Sequence, residues 1–219
     1  ELKFGYAVTG VAKRKQLLRN SGARAGDRVY LTKPLGTGIL ATALKQAKLD
    51  AAVTRKLSAH MKLLNRAASE AAVAAGARAA TDITGFGFLG HASQLASESG
   101  VTLRLRPEPR WFLPRVLELL AAGVAPGGLA RNREYYGPRV DANALLSATG
   151  SAPATRTAVA PSVLLDALHD PQTSGGLFVA VPARHAAAFE RELRRRRVWH
   201  VLAGEAVRAG KVAVELGTA

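Results

Sequence analysis

The chain has 219 residues and carries 31 Lys and Arg against 16 Asp and Glu, a formal charge of +15 at pH 7. Its 48% hydrophobic content supplies a buried core and excludes wholesale disorder; no apolar run approaches the ~18–20 residues that span a bilayer. It has no cysteine, which excludes disulfides, thiolate metal sites and cysteine nucleophiles within this stretch.

The opening Glu1-Leu2-Lys3-Phe4 has neither an initiator Met nor a signal layout, and reads as a fragment that starts within a strand. Alternation of Phe4, Tyr6 and Val8 predicts that strand over residues 3–8. Its unpaired edges make residues 1–10 the expected place for self-association. A second strand is expected over residues 28–33, stopped by Pro34, and a helix over 36–48. Residues 51–75 read as one or two Ala-rich helices ended by Gly76, with Leu57, Met61, Leu64 and Ala68 on one core-facing stripe.

A short strand over 77–81 runs into Asp82, followed by a helix over 88–99 closed by Gly100 and a strand over 101–105. Residues 111–122 read as a helix with Pro114 in its first turn. The stretch 123–137 reads as a turn-rich loop, and 140–160 has no secure pattern. Then come a helix over 161–168, a strand over 176–181 and a helix over 183–196 with a basic outer face. Strands over 198–207 and 211–216 read as a closing hairpin around Ala209-Gly210. Helices and strands interleave without strict βαβ repetition, so the fold class is α+β.

The positive charge gathers at Arg194–Arg197, at Lys13, Arg14 and Lys15, and at Arg104, Arg106 and Arg110. Such clusters attract phosphates. With only 5% aromatic residues there are few platforms for base stacking, so this reads as a solvated basic surface and nucleic acid is not an expected partner. The five histidines show no metal-ligand spacing. Gly85-Phe86-Gly87-Phe88-Leu89-Gly90 matches the dinucleotide fingerprint, with Glu108 near the place of a ribose acid. The small, polar strand before it and the lack of a second mononucleotide half argue against that use.

Two carboxylates stand apart from the charged surface. Asp82 ends a strand beside a glycine-rich turn, where a carboxylate and open backbone amides suit Mg²⁺ held against phosphate. The same position also suits an N-cap for the helix starting near Phe86. Asp170 leads into Pro171-Gln172-Thr173-Ser174-Gly175-Gly176; here a turn cap, with Thr173 and Ser174 bonding local backbone, is the favoured reading.

The stretches Phe4–Gly10, Leu31-Thr32-Lys33-Pro34-Leu35-Gly36-Thr37-Gly38, Ala80–His91 and Asp170–Gly176 resemble the selenophosphate synthetase (selenide, water dikinase) family, as does Ala125-Pro126-Gly127-Gly128 followed by Asn132 and Tyr136-Gly137. Their order and approximate spacing agree along nearly the whole chain. The resemblance implies an aminoimidazole-ribonucleotide-synthetase-like architecture: residues 1–20 as the tail of an ATP-binding N-terminal domain, residues 21–219 as the α+β C-terminal domain. It implies formation of selenophosphate from selenide, ATP and water with release of AMP and phosphate, in a cytoplasmic enzyme that is a homodimer at full length. It also implies Mg²⁺ as cofactor, with Asp82 as a metal ligand and Thr84, Gly85 and Gly87 beside the nucleotide. The family's nucleophile, catalytic lysine and glycine-rich ATP segment belong to the upstream domain, so no catalytic residue is expected in this stretch, and the chain alone should be inactive. Another ATP-dependent synthetase or kinase of the superfamily and a basic RNA-binding module are the alternatives.

Overall fold

The computed structural model describes residues 5, 7, 9–14, 17–147 and 159–218. The strand expected over residues 3–8 falls mostly outside them. β1 (Asp27–Leu31) and β5 (Leu177–Pro182) run antiparallel as neighbouring inner strands of a seven-stranded sheet. The other strands are β2 (Ala79–Asp82), β3 (Val101–Leu105), β4 (Val140–Asp141), β6 (Val201–Arg208) and β7 (Val214–Leu216), in the order β2-β5-β1-β6-β3-β7-β4. The β5 sequence LFVAVP is buried almost throughout, as a strand covered on both faces must be.

Helices line both faces. α1 (Thr37–Lys45), α4 (Gly87–Ser99), α5 (Val116–Ala121) and α8 (Pro161–Ala167) contribute to the main core with Val29, Leu31, Phe178 and Ala180. Phe88, Trp111 and Phe178 meet edge to face there. On the opposite face α3 (Arg66–Ala74) and α9 (Ala186–Arg195) cover Tyr30, Val179 and Val181, with the Tyr30 and Phe189 rings 5.2 Å apart. That layer stops short of the far strands. There Arg28, Glu205, Arg104 and Glu215 stand opposite one another on β1, β6, β3 and β7, a cross-strand ladder of alternating charge.

Several expectations need correction. Residues 127–136 are not loop but a helix, α6 (Gly127–Tyr136). The helix expected over 111–122 begins only at Val116, after a 3-10 turn at Pro109–Trp111 and a left-handed Arg115 (φ 70°). α2 (Ala51–Lys62) ends before Leu63, so Leu64 falls in the connection to α3 and is 77% exposed, off the stripe that buries Leu57 and Ala68. Nor do the last two strands form a hairpin: β3 lies between them, antiparallel to β6 and parallel to β7. A short helix, α7 (Asn143–Ser147), lies in the stretch without a secure pattern.

Candidate functional site

Three loops that are far apart in sequence meet at the end of the sheet where β1 and β2 finish and β5 starts. They are residues 32–38, 82–87 and 169–176. Gln172 ties them together. Its buried side chain accepts from the Gly36 and Thr37 amides and from the Thr37 hydroxyl, at 2.9, 3.2 and 3.2 Å. Its Nε2 donates to the carbonyl and carboxylate of Asp170 at 2.8 and 2.9 Å, and its own amide donates to the Thr84 carbonyl.

Glycines let these backbones touch. A Cβ on Gly87 (φ 70°) would lie 2.7 Å from the His169 carbonyl, and one on Gly176 2.5 Å from the Lys33 nitrogen. One on Gly175 would collide with the Ile83 carbonyl. Asn132 on α6, one of the residues on which the resemblance rests, donates to the carbonyls of Gly85 and His169 and pins the glycine turn to the Asp170 loop.

Asp170 is fully buried. One carboxylate oxygen accepts from the Gly38 amide at the start of α1 and from Gln172; the other has no partner among the described residues. Burial pushes its carboxyl up to about 7, against the pull of these hydrogen bonds. It therefore caps α1 from a distant point in sequence, rather than capping its own turn. Ser174 likewise reaches Met61 and not local backbone. Lys33 is also buried, its ammonium donating to the Leu63 and Ser174 carbonyls at 2.6 and 2.9 Å, and desolvation lowers its pKa.

Asp82 occupies the exposed end of β2, and its carboxylate makes no hydrogen bond or ion pair among the described residues. It does not cap α4, whose N-cap is Phe86 without a side-chain bond. Thr84 is held by its amide, which donates to His91 Nε2 at 3.0 Å, so the neutral ring carries its proton on Nδ1. Burial lowers the His91 pKa, partly opposed by the charge of Asp82. Of the turn residues, Thr84 and Gly87 are committed to internal contacts, while Gly85 is exposed, with open space where a Cβ would be.

A dinucleotide role for this turn has no support in the topology. β2 is at one edge of the sheet and β3 is four places away, whereas a dinucleotide unit needs adjacent parallel strands. Glu108 is engaged by Arg110 at 2.6 and 2.9 Å.

Fold and motif loops together define an α+β domain of the synthetase superfamily. Residues 24–217 match the family described as AIR synthase related protein, C-terminal domain, and the chain belongs to it. It is 42% identical over 205 residues to a selenide, water dikinase of Trichlorobacter lovleyi, covering 94% of this chain and 55% of that protein. It is 43% identical over 186 residues to a selenide, water dikinase of Bordetella bronchiseptica, covering 85% and 49%. The chain thus spans about half the length of the curated relatives it matches. Among solved structures, thiamine-monophosphate kinase from Stenotrophomonas maltophilia has the same fold, with a TM-score of 0.57 at 17% identity over 94% of this chain and 54% of that one. Among the described residues no helix is long and apolar enough to cross a membrane.

Proposed function

We propose that this chain is the C-terminal part of an enzyme that makes selenophosphate from selenide, ATP and water, releasing AMP and phosphate, with residues 1–20 the tail of its N-terminal domain and residues 21–219 its C-terminal domain. The observation that carries this reading is the 42% identity over 94% of the chain to a protein of that name. The way Gln172 joins the three motif loops supports it, because these are the segments on which the resemblance rests.

Mg²⁺ fits the site as a shared ligand set. Asp82 offers an exposed carboxylate without a partner among the described residues, next to the open backbone at Gly85. No group of three or more His, Cys, Asp or Glu among the described residues could hold an ion unaided. Mg²⁺ commonly uses one or two carboxylates and completes its shell with phosphate and water. When bound it neutralises charge on phosphate oxygens. The part played by this chain is positional: Asp82 supplies the carboxylate, the Thr84–Gly87 turn offers backbone close to phosphate, and His91, Asn132 and Gln172 hold that turn in one shape.

The test uses the full-length protein with Mg-ATP and selenide, followed by ³¹P NMR. Selenophosphate and AMP should appear together, and the 219-residue chain alone should yield neither. Nucleotide release that does not depend on selenide would overturn the reading.

A further inference from the structure

The uncovered part of the sheet is not flat. Gly204 on β6 faces an irregularity in the pairing between Val29 and Tyr30, and a Cβ there would strike the Arg104 carbonyl. Bulges of this kind often accompany functional sites. Beside it opens a cleft of about 320 Å³, floored by Leu202–Gly204 and ringed by Arg28, Arg104, Arg106 and Arg110, with Glu108 and Glu205.

Four guanidinium groups around one concavity repel one another unless anions offset them. Arg28 pairs with Glu205 at 2.9 Å, Arg104 with Glu215 at 3.1 Å and Arg110 with Glu108. These pairs are partly solvated, hence weak and exchangeable. Arg106 is exposed and has no side-chain partner among the described residues. Counting Glu215, which holds Arg104, three glutamates offset the four arginines and leave an excess of one positive charge, 4 − 3, at Arg106. Guanidinium forks match phosphate oxygens in pairs.

We propose that this cleft is a second ligand site, which binds the oligophosphate group of a small molecule. No aromatic side chain lines it, so recognition falls on the phosphates and not on a base. Its concave shape suits a compact anion better than a continuous nucleic-acid backbone. It lies three strands away from β2, roughly 14 Å at the usual strand spacing, and so is separate from the Asp82 turn. The inference does not depend on the proposed activity.

The probe is inorganic tripolyphosphate, titrated into the 219-residue chain at low salt and followed by calorimetry and by the arginine Nε–H NMR signals. Arg106→Ala should weaken binding at least tenfold with an unchanged circular dichroism spectrum, and Arg106→Lys should recover only part of it. Asp82→Asn should bind like the native chain. Three results would each overturn the site: native affinity in Arg106→Ala, loss of binding in Asp82→Asn, or equal weakening by Arg194→Ala/Arg195→Ala on α9, which would mark a general charge effect. Single-stranded RNA binding far more tightly than tripolyphosphate through the same arginines would overturn the small-ligand assignment.

Discussion

Thr37 and Gln172, 135 residues apart, are bound reciprocally: the Thr37 amide and hydroxyl donate to the Gln172 side chain, and the same hydroxyl accepts from the amide that follows Gln172, at 2.8 Å. This contact joins the start of α1 to the loop before β5. Gln172→Ala would leave the buried Gly36 and Thr37 amides without acceptors. Each unpaired buried donor costs about 1–3 kcal/mol, so a loss of about 3 kcal/mol is expected. For a chain of this size that lowers Tm by roughly 6–12 °C in calorimetry. An unchanged Tm would mean that water or another group replaces the side chain.

Asp82→Asn separates site from scaffold. The Asp82 carboxylate has no structural partner among the described residues, so melting temperature should stay within about a degree, a change typical of neutral surface substitutions. Selenide-dependent AMP release by the full-length enzyme should fall several hundred-fold, on the order of the 3–4 kcal/mol that one charge-stabilising group contributes to a transition state. Retained activity with the native Mg²⁺ dependence would remove Asp82 from the metal site.

Asp170 and His169 are neighbours with opposite pH signatures. Burial raises the Asp170 carboxyl to about 7, so between about 4 and 7 the folded chain keeps a proton that the unfolded chain has lost. Its contribution to stability therefore falls as pH rises through that window. Burial pushes the His169 ring down to about 4, so between about 4 and 6.5 the unfolded chain holds the extra proton and stability rises with pH. The two offset each other in the native chain. In Asp170→Asn the His169 slope should emerge, and the variant should gain about 3–4 kcal/mol relative to the native chain between pH 4 and pH 8. Urea midpoints measured across that range test this; parallel profiles would contradict a raised Asp170.

Gly175→Ala places a methyl group against the Ile83 carbonyl, where backbone and not a flexible side chain must move. Overpacking of this kind costs about 1–3 kcal/mol. Because Asn65 also binds the Gly175 carbonyl, the α2–α3 connection should loosen along with the loop. Amide exchange at Asn65–Ala68 should quicken, and unchanged exchange there would localise the damage elsewhere.

Arg78 and Asp27 form an ion pair at 2.6 Å, with Asp27 almost fully buried and also accepting from the Arg24 amide. Arg78→Ala leaves that carboxylate uncompensated and should cost about 2–3 kcal/mol, below the range for wholly buried pairs because Arg78 is partly exposed. Chemical denaturation reads this directly; a loss under 0.5 kcal/mol would show that water compensates the charge.

Strands and helices with strong periodicity were legible from the sequence, including β1, β3, β5 and α4 with its Gly100 cap. α6 was not, because its residues GGLARNREYY open on two glycines and alternate charge without a clear apolar stripe, while tertiary contacts bury Leu129, Asn132 and Tyr136. The closing strands misread as a hairpin because local turn chemistry at Ala209-Gly210 says nothing of a strand 100 residues earlier filling the gap. In the site, the Asp82 turn and the Asp170 loop could be singled out from carboxylates beside glycines. Gln172 and Asn132 stood out only as members of the motifs on which the resemblance rests; their role in tying the loops together was not legible, since their partners are distant in sequence and an amide carries no signal of its own.

The sheet order has a temporal meaning. β1 and β2 are not neighbours; β5 fits between them, and it begins 95 residues after β2 ends, 177 − 82. At a synthesis rate of roughly 5–20 residues per second, the nascent chain waits roughly 5–20 s with β2 unpaired on its β5 side. For that interval the Asp82 turn has neither the Gly176 carbonyl nor Gln172 to hold it. The loop that carries the candidate chemistry thus takes shape only once β5 has been made, and until then β2, like β1 before it, is an unpaired strand open to a chaperone or an aggregating neighbour.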